Sequence, residues 1–203
     1  DGLHLGHQKL FSLAKKYKKK FSLNIGVLTF EPMPKMYFND KKKNFRISSQ
    51  KQKINLLNRF DVDFIIIKKF NKEFSKTKSI DFIKNVLSKK LNAKFIFVSN
   101  NFRFGNKREG DVKLLKSFEN RFKYKIINPK PLKKKNKVIS STFIRTLINK
   151  GEIIKANQFL NRNWSIEGKV IYGRKLGRKI GFPTCNINLG DYVIAKSGVY
   201  AVR

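Results

Sequence analysis

The fold is decided by residues 63–98, which read DFIIIKKFNKEFSKTKSIDFIKNVLSKKLNAKFIFV. Continuous apolar runs stand at 63–67 and 95–98, without the polar alternation of a half-exposed strand. Between them, apolar residues recur at helical spacing from 80 to 91, and Ser79 is placed to cap that helix. Two buried strands joined by an amphipathic helix are typical of a parallel sheet covered by helices.

The same alternation of strands and helices extends in both directions from this stretch. Apolar runs at 24–30 and 124–127 predict two more buried strands. Further helices are predicted at 8–20, from Ser49, from Asp111 to 122, from Ser141 to 150 and at 152–160. After residue 161 the sequence alternates over 165–172 and glycines become frequent, which indicates a second, β-rich domain. We therefore predict an α/β fold.

Composition excludes several classes of protein. The 203 residues include 47 Lys and Arg against 13 Asp and Glu, a net charge of +34, yet 40% are hydrophobic, so the chain is not a disordered basic tail. One cysteine excludes a disulfide framework and a multi-cysteine zinc site. No apolar run approaches the ~18 residues of a membrane helix, and no signal peptide opens the chain. A cytoplasmic protein without a membrane partner is expected.

The high positive charge leaves a basic nucleic-acid-binding module as an alternative. Lysines are spread along the whole chain, with short runs at 18–20, 41–43 and 133–135. Lys, Asn, Ile and Phe, which all have AT-rich codons, are abundant, so genome composition can supply much of the charge. No zinc-finger spacing or RNP1-like aromatic run is present. We predict small-molecule substrates and no nucleic-acid partner.

The first chemical motif is DGLHLGHQ at residues 1–8, which holds the two histidines of the chain, His4 and His7. They stand where a loop enters a helix, whose N-terminus offers free N–H groups and a positive dipole end. Gly6 allows close approach of a ligand to the backbone, and two imidazoles can donate to phosphate oxygens. Phosphate binding and an incidental surface pair both remain open, whereas no partner carboxylate or cysteine supports a metal site.

The second motif is ISSTFIR at residues 139–145. Its hydroxyls at Ser141 and Thr142 either cap a helix or, together with Arg145, bind a phosphate. In a parallel sheet the starts of the helices that follow the strands lie along one edge. We therefore expect the two motifs to meet in one phosphate-binding site.

Three further segments carry a family resemblance. They read TFEPMP at 29–34, NFRFGNKREGD at 101–111 and GRKLGRKIGFPTCNI at 173–187. With the two phosphate motifs, they resemble, in order, the bacterial bifunctional riboflavin kinase/FAD synthetase family. The resemblance implies a Rossmann-like nucleotidyltransferase domain over residues 1–160, lacking its first strand. An incomplete β-barrel riboflavin kinase domain would occupy residues 161–203, and the chain is expected to be a fragment of a longer protein.

The resemblance also implies two reactions. In one, FMN and ATP give FAD and pyrophosphate, and in the other riboflavin and ATP give FMN and ADP. The FMN phosphate is already an anion, so its in-line attack on the α-phosphorus of ATP requires no protein base. Mg²⁺ would bridge the phosphate oxygens. A related nucleotidyltransferase with another acceptor, such as nicotinamide mononucleotide, is the alternative enzyme.

The resemblance assigns roles to residues of all five motifs. Catalysis would use His4, His7, Ser141, Thr142 and Arg145. ATP or FMN binding would use Gly2, Gly6, Phe30, Pro32, Asn101, Phe102, Arg103 and Phe104, although Phe30 and Pro32 suit a core or turn role equally well. The kinase module would bind ATP with Gly173, Gly177, Gly181, Thr184 and Asn186, and Thr184 would ligate Mg²⁺. Without the resemblance, this last segment is an ordinary glycine-rich hairpin, because the P-loop pattern is absent.

Overall fold

The computed structural model describes residues 1–39, 43–134, 137–174 and 176–202. Lys41, Lys42, Lys135 and Lys175, which belong to the lysine runs and the glycine-rich segment noted above, lie outside these ranges. No helix in the described ranges is both long enough and apolar enough to cross a membrane.

Helices and strands alternate through most of the chain. The helices are α1 (Leu5–Phe21), α2 (Pro34–Tyr37), α3 (Gln50–Asn58), α4 (Lys72–Ser75), α5 (Ser79–Asp81) with a π-helical continuation (Phe82–Lys90), a 3₁₀ turn (Asn106–Arg108), α6 (Val112–Ser117), α7 (Glu119–Phe122), α8 (Ser141–Asn149), α9 (Ile153–Leu160) and α10 (Leu176–Lys179). The strands are β1 (Gly26–Glu31), β2 (Phe64–Lys69), β3 (Phe95–Phe97), β4 (Lys125–Ile127), β5 (Lys133–Lys134), β6 (Lys137–Val138), β7 (Val170–Ile171) and β8 (Asn186–Ile187).

The long strands pair in parallel, which confirms the predicted α/β class. Strand β1 pairs with β2, with Gly26 opposite Phe64, and β3 pairs with β4, with Phe95 opposite Lys125. These are two separate two-stranded sheets in the described residues. The β5–β6 and β7–β8 pairs are antiparallel. Of these, the β7–β8 pair lies in the C-terminal segment, where the frequent glycines predict β-structure.

Three predicted boundaries differ from the structure. Helix α1 begins at Leu5, with His4 as its N-cap, rather than near residue 8. The helix predicted from Asp111 to 122 divides at Phe118, where the Leu115 carbonyl accepts both the Phe118 N–H (3.3 Å) and the buried Tyr124 hydroxyl (2.7 Å). The predicted strand 165–172 is reduced to Val170–Ile171, the two residues that find a partner in β8.

The helix predicted to begin after a Ser79 cap also differs at its start. Ser79 is the first residue of α5 and not its N-cap, a position that Lys78 occupies. The Ser79 N–H is instead satisfied by Glu109, whose Oε1 accepts it at 2.6 Å. A carboxylate from a distant loop therefore does what a local hydroxyl was predicted to do.

Two apolar cores support the fold. One packs behind the β3–β4 pair and consists of Phe82, Ile83, Leu87, Val98, Phe104, Leu115, Tyr124 and Ile126. The other packs α8 against α9 and consists of Ile47, Ile139, Ile144, Leu147, Ile148, Ala156, Phe159, Leu160 and Val193. The second core draws residues from both ends of the chain, so the C-terminal segment is anchored to the N-terminal part.

A short segment at residues 45–49 connects this second core to the C-terminal region. The Arg46 N–H donates to the Asp191 carbonyl (2.7 Å), and the Val193 N–H donates to the Arg46 carbonyl (2.8 Å). The Tyr192 hydroxyl donates to Oε1 of Gln52 (2.9 Å) from a buried position. One side of segment 45–49 is therefore held by the C-terminal region of the chain, at residues 191–193. The other side faces the start of α1.

Candidate active site

The N-terminus of α1 is organised by His4. Nδ1 of His4 accepts a hydrogen bond from the Gly6 N–H (3.1 Å), so the imidazole itself caps the helix. A Cβ added at Gly6 would lie 3.0 Å from two atoms of this ring, which explains why glycine stands there. Because Nδ1 is the acceptor, the proton of the neutral ring resides on Nε2, which is left as a hydrogen-bond donor.

His7 lies one helical turn away and faces His4. The two ring centroids are 3.9 Å apart. Nδ1 of His7 is the one buried side-chain nitrogen or oxygen within the described part of the chain that lacks a hydrogen-bond partner. Leaving a buried polar atom unsatisfied costs free energy. Nδ1 of His7 is therefore an atom that a bound ligand would be able to satisfy.

The N-terminus of α8 meets this histidine pair. Its N-cap is Ser140, whose Oγ accepts the Phe143 N–H (3.2 Å), and not Ser141 or Thr142 as one alternative held. Ser141 is thereby freed from capping, and its hydroxyl donates to the Asp1 carbonyl (2.8 Å). Thr142 is exposed. The starts of two helices thus lie together, as predicted, although α8 follows the antiparallel β5–β6 pair and not a parallel strand.

Arg145 is held by three contacts. Its Nη2 donates to Oδ2 of Asp1 (2.7 Å), and its Nε donates to the Phe45 carbonyl (2.6 Å). The guanidinium also stacks on the Phe45 ring, with its central carbon 3.6 Å from the ring centroid. This arrangement orients the guanidinium beside the α1 N-terminus.

The charges around the site favour an anionic ligand. Burial is the largest cause that lowers the pKa of His4, to about 4; the charge of the Asp1 amine lowers it next, and Arg145 and Arg162 contribute less. Burial also lowers the pKa of His7 well below its ordinary value and lowers those of Arg145 and Arg162 to about 10. At neutral pH the site therefore combines two neutral imidazoles with two guanidinium cations.

The low pKa of His4 predicts a pH-dependent stability. Between about 6.5 and 4 the unfolded chain binds a proton at His4 that the folded chain does not, so the free energy of unfolding should fall as the pH falls through this window. The variant His4→Asn keeps an oxygen that can accept the Gly6 N–H but cannot titrate. We expect wild type to lose about 1–3 kcal/mol more than His4→Asn between pH 7 and pH 4.5, measured by urea unfolding. Equal losses in both proteins would contradict this assignment.

The segments at 29–34 and 101–104 lie at a second part of the predicted site. Phe30 packs on Phe74, with ring centroids 5.6 Å apart, and belongs to the periphery of the β3–β4 core. Pro32 follows the end of β1 in a cis peptide bond. Phe102 stacks on the buried Phe104, which pairs through its backbone with Gly110.

Asn101 and Arg103 are the exposed members of the second of these segments. They line an open cleft of about 490 Å³, which is completed by Asn100, Arg108, Asp111, Val112 and Lys113. Oδ1 of Asn101 accepts from the Ser99 hydroxyl (2.9 Å), and Arg103 reaches Asp111 at 3.5 Å. The cleft therefore offers amide and guanidinium groups on a largely basic wall.

The kinase-type segment forms a compact glycine-rich turn. Gly173 stands against Asn186, where an added Cβ would lie 2.1 Å from the side-chain amide. Gly177 stands against the Phe182 carbonyl and close to Thr184, where an added Cβ would lie 2.2 Å from that carbonyl oxygen. Gly181 adopts φ +82°, in the left-handed region. The turn thus brings Gly173 to Asn186 and Gly177 to Thr184, and both polar residues are exposed.

The described side chains do not form a dedicated metal site. Within those ranges no three His, Cys, Asp or Glu residues are placed to hold a metal ion. The Asp1 carboxylate is occupied by Arg145 and by the N–H groups of Ile47 (2.9 Å) and Ser48 (3.4 Å). Mg²⁺ commonly binds through substrate phosphates with few protein ligands.

Sequence patterns missed four residues at the first site. Asp1 and Phe45 hold Arg145, as described above. Nη2 of Arg162 donates to the Ser48 hydroxyl (3.1 Å), and Nζ of Lys53 donates to the Thr29 hydroxyl (2.9 Å). Burial, as the largest cause, lowers the pKa of Lys53. Asp1 was within the quoted motif, whereas the other three carry no local signal.

Comparisons with known proteins identify relatives of this chain. A family model described as FAD synthetase matches residues 1–143, and one described as riboflavin kinase matches residues 160–203. A bifunctional riboflavin kinase/FMN adenylyltransferase of Buchnera aphidicola subsp. Schizaphis graminum is 43% identical over the whole chain and 65% of its own length. The Escherichia coli K12 protein of the same name is 34% identical, again over the whole chain and 65% of its own length.

A solved structure shares the fold. A Streptococcus pneumoniae protein described as a macrolide-efflux protein superposes with a TM-score of 0.83 and 30% identity, over 98% of this chain and 65% of that one. The chain thus spans about 65% of the length of these relatives.

Proposed function

The chain belongs to the FAD synthetase family, and on that premise we propose that residues 1–160 transfer an adenylyl group from ATP to FMN, forming FAD and pyrophosphate. The observation that carries the proposal is the meeting of two helix N-termini at Asp1, His4 and His7 from one side and Ser141 and Arg145 from the other. Two helix starts, two neutral imidazoles and a fixed guanidinium together suit a polyphosphate. Because the reaction consumes ATP, we place it in the cytoplasm.

The proposed mechanism relies on positioning and charge. The FMN phosphate attacks the α-phosphorus of ATP while pyrophosphate leaves on the opposite side, so no protein base is needed. The Nε2–H of His4 donates to a phosphate oxygen, and His7 supplies a second imidazole donor. Arg145 and Ser141 contact the phosphates from the α8 side. Negative charge that develops on the leaving pyrophosphate is thereby stabilised by groups already in place.

The second binding region would hold the rest of the substrates. Asn101 and Arg103 would receive nucleotide or flavin at the cleft beside β3, which both residues line. Phe30, Phe102 and Phe104 pack in or against the adjacent core and, like Pro32, do not line this cleft. Gly2 and Gly6 would allow the phosphates to approach the backbone at the start of α1. ATP would enter as its magnesium complex, in which the metal supplies charge neutralisation to the phosphate oxygens.

Residues 161–203 would begin a riboflavin kinase domain, which phosphorylates riboflavin to FMN with ATP. Gly173 and Gly177 pack against Asn186 and the Phe182 carbonyl, whereas Gly181 faces open space in which a phosphate chain would fit. Thr184 and Asn186 present a hydroxyl and an amide oxygen, hard donors that suit Mg²⁺ on the phosphates. The product of this second reaction is the acceptor of the first.

The test is a direct assay of the product of the complete gene. The protein is incubated with FMN, ATP and Mg²⁺, and flavins and pyrophosphate are separated and quantified. Equal amounts of new FAD and pyrophosphate are expected, and the parallel reaction with riboflavin should yield FMN. A folded protein that makes no FAD but adenylylates nicotinamide mononucleotide would overturn the FMN assignment in favour of another acceptor.

A further inference from the structure

We propose that Asp1 is a positioning residue of the adenylyltransferase site, which sets the orientation of Arg145 toward the phosphates. The inference rests on the proposed function and assigns a new residue to it. Asp1 is nearly inaccessible, with 5% of its side chain exposed, and Arg145 is 11% exposed. A carboxylate buried to this extent is retained where it has several donors.

Asp1 collects donors from two elements. Oδ2 accepts from Nη2 of Arg145 on α8 (2.7 Å) and from the Ile47 N–H (2.9 Å), and Oδ1 accepts from the Ser48 N–H (3.4 Å). The Asp1 backbone carbonyl accepts the Ser141 hydroxyl (2.8 Å). One residue therefore ties the α1 motif, segment 45–49 and the α8 motif to one another.

The geometry of Arg145 follows from this junction. Asp1 fixes one terminal nitrogen of the guanidinium, while the Phe45 carbonyl and ring fix its Nε and its plane. With those three contacts in place, the plane and the direction of the guanidinium are determined before ATP binds. Holding a cation in its working orientation reduces the entropy lost in the transition state. Asp1 acts through Arg145 and does not itself contact the phosphates.

A double-mutant cycle tests the proposal in the complete protein. Asp1→Asn keeps the size of the side chain but not its charge, and Arg145→Gln keeps an amide that can donate to Asp1. We expect Asp1→Asn to lower kcat for FAD formation by about 100-fold. In the Arg145→Gln background the same change should lower kcat by less than about threefold, because the group that Asp1 positions is already gone.

Asp63→Asn is the matched control. The Asp63 carboxylate also accepts from a lysine (Lys18, 2.6 Å) and from a backbone N–H (Ile25, 2.7 Å). It does so beside the C-terminal end of α1, away from the site at the N-terminus of that helix. Its variant should retain wild-type kcat even where its thermal stability falls.

The outcomes separate the two proposals. Suppose that wild type forms FAD and that Asp1→Asn lowers kcat by the same factor in the wild-type and the Arg145→Gln backgrounds. That result would overturn the positioning role of Asp1 and leave the proposed function intact. Absence of FAD formation by wild type would overturn the function itself. If Asp1→Asn does not fold, Asp1→Glu, which displaces the carboxylate by one methylene, takes its place in the cycle. Full kcat in a folded Asp1→Glu or Asp1→Asn variant also contradicts the proposal.

Discussion

Replacement of His7 by leucine should lower kcat for FAD formation by about 10²- to 10³-fold while leaving the free energy of unfolding unchanged or raised by about 1 kcal/mol. Nδ1 of His7 is buried without a partner, so an apolar side chain of similar size removes an unsatisfied polar atom. The same change removes an imidazole that faces His4 at 3.9 Å at the start of α1. Stopped assays of FAD and urea unfolding curves measure the two quantities.

The opposite signs of these two effects are the decisive feature. A structural histidine would lose stability on replacement, because most substitutions in a packed site destabilise. Ser12→Ala is the control on the same helix: the Ser12 hydroxyl donates to the Gln8 carbonyl (3.0 Å) from an exposed position, so its loss should change neither quantity appreciably. A His7→Leu protein that is several kcal/mol less stable but retains kcat would assign His7 to the fold.

Much of the site was accessible from the sequence because it depends on topology. Helices that follow parallel strands start at one edge of a sheet, so the motifs at 1–8 and 139–145 were expected to meet. The Ser141–Asp1 hydrogen bond joins them, although α8 follows the antiparallel β5–β6 pair. The β1–β2 and β3–β4 pairs follow from uninterrupted apolar runs. Periodicity and strand composition are sufficient for conclusions of this kind.

Contacts between distant loops were beyond the reach of periodicity. Phe45 and Arg145 are 100 positions apart, and nothing local to either residue signals that a guanidinium will stack on that ring. Three consecutive hydroxyls at 140–142 made the identity of the cap undecidable, since each has the chemistry required. The Tyr124 hydroxyl donates to the Leu115 carbonyl where α6 ends, a contact that a helical pattern continuing through Phe118 does not reveal.

Replacement of Arg145 by methionine should lower the free energy of unfolding by about 3–5 kcal/mol and lower kcat for FAD formation by about 10³-fold. Methionine can still pack on Phe45, so the principal loss is the charge partner of Asp1. The Asp1 carboxylate is 5% exposed and would keep only the two N–H donors of segment 45–49.

The double variant Asp1→Asn/Arg145→Met removes the orphaned charge and should recover much of the stability, but none of the activity, because the guanidinium remains absent. Lys18→Met breaks the ion pair between Lys18 and Asp63, which has a similar length (2.6 Å). The two side chains of that pair are 27% and 31% exposed, so the loss of stability should be much smaller than that of Arg145→Met. Urea unfolding of the four proteins at pH 7 decides the matter: an Arg145→Met variant as stable as Lys18→Met would show that the Asp1–Arg145 pair is not the buried, coupled pair that the structure describes.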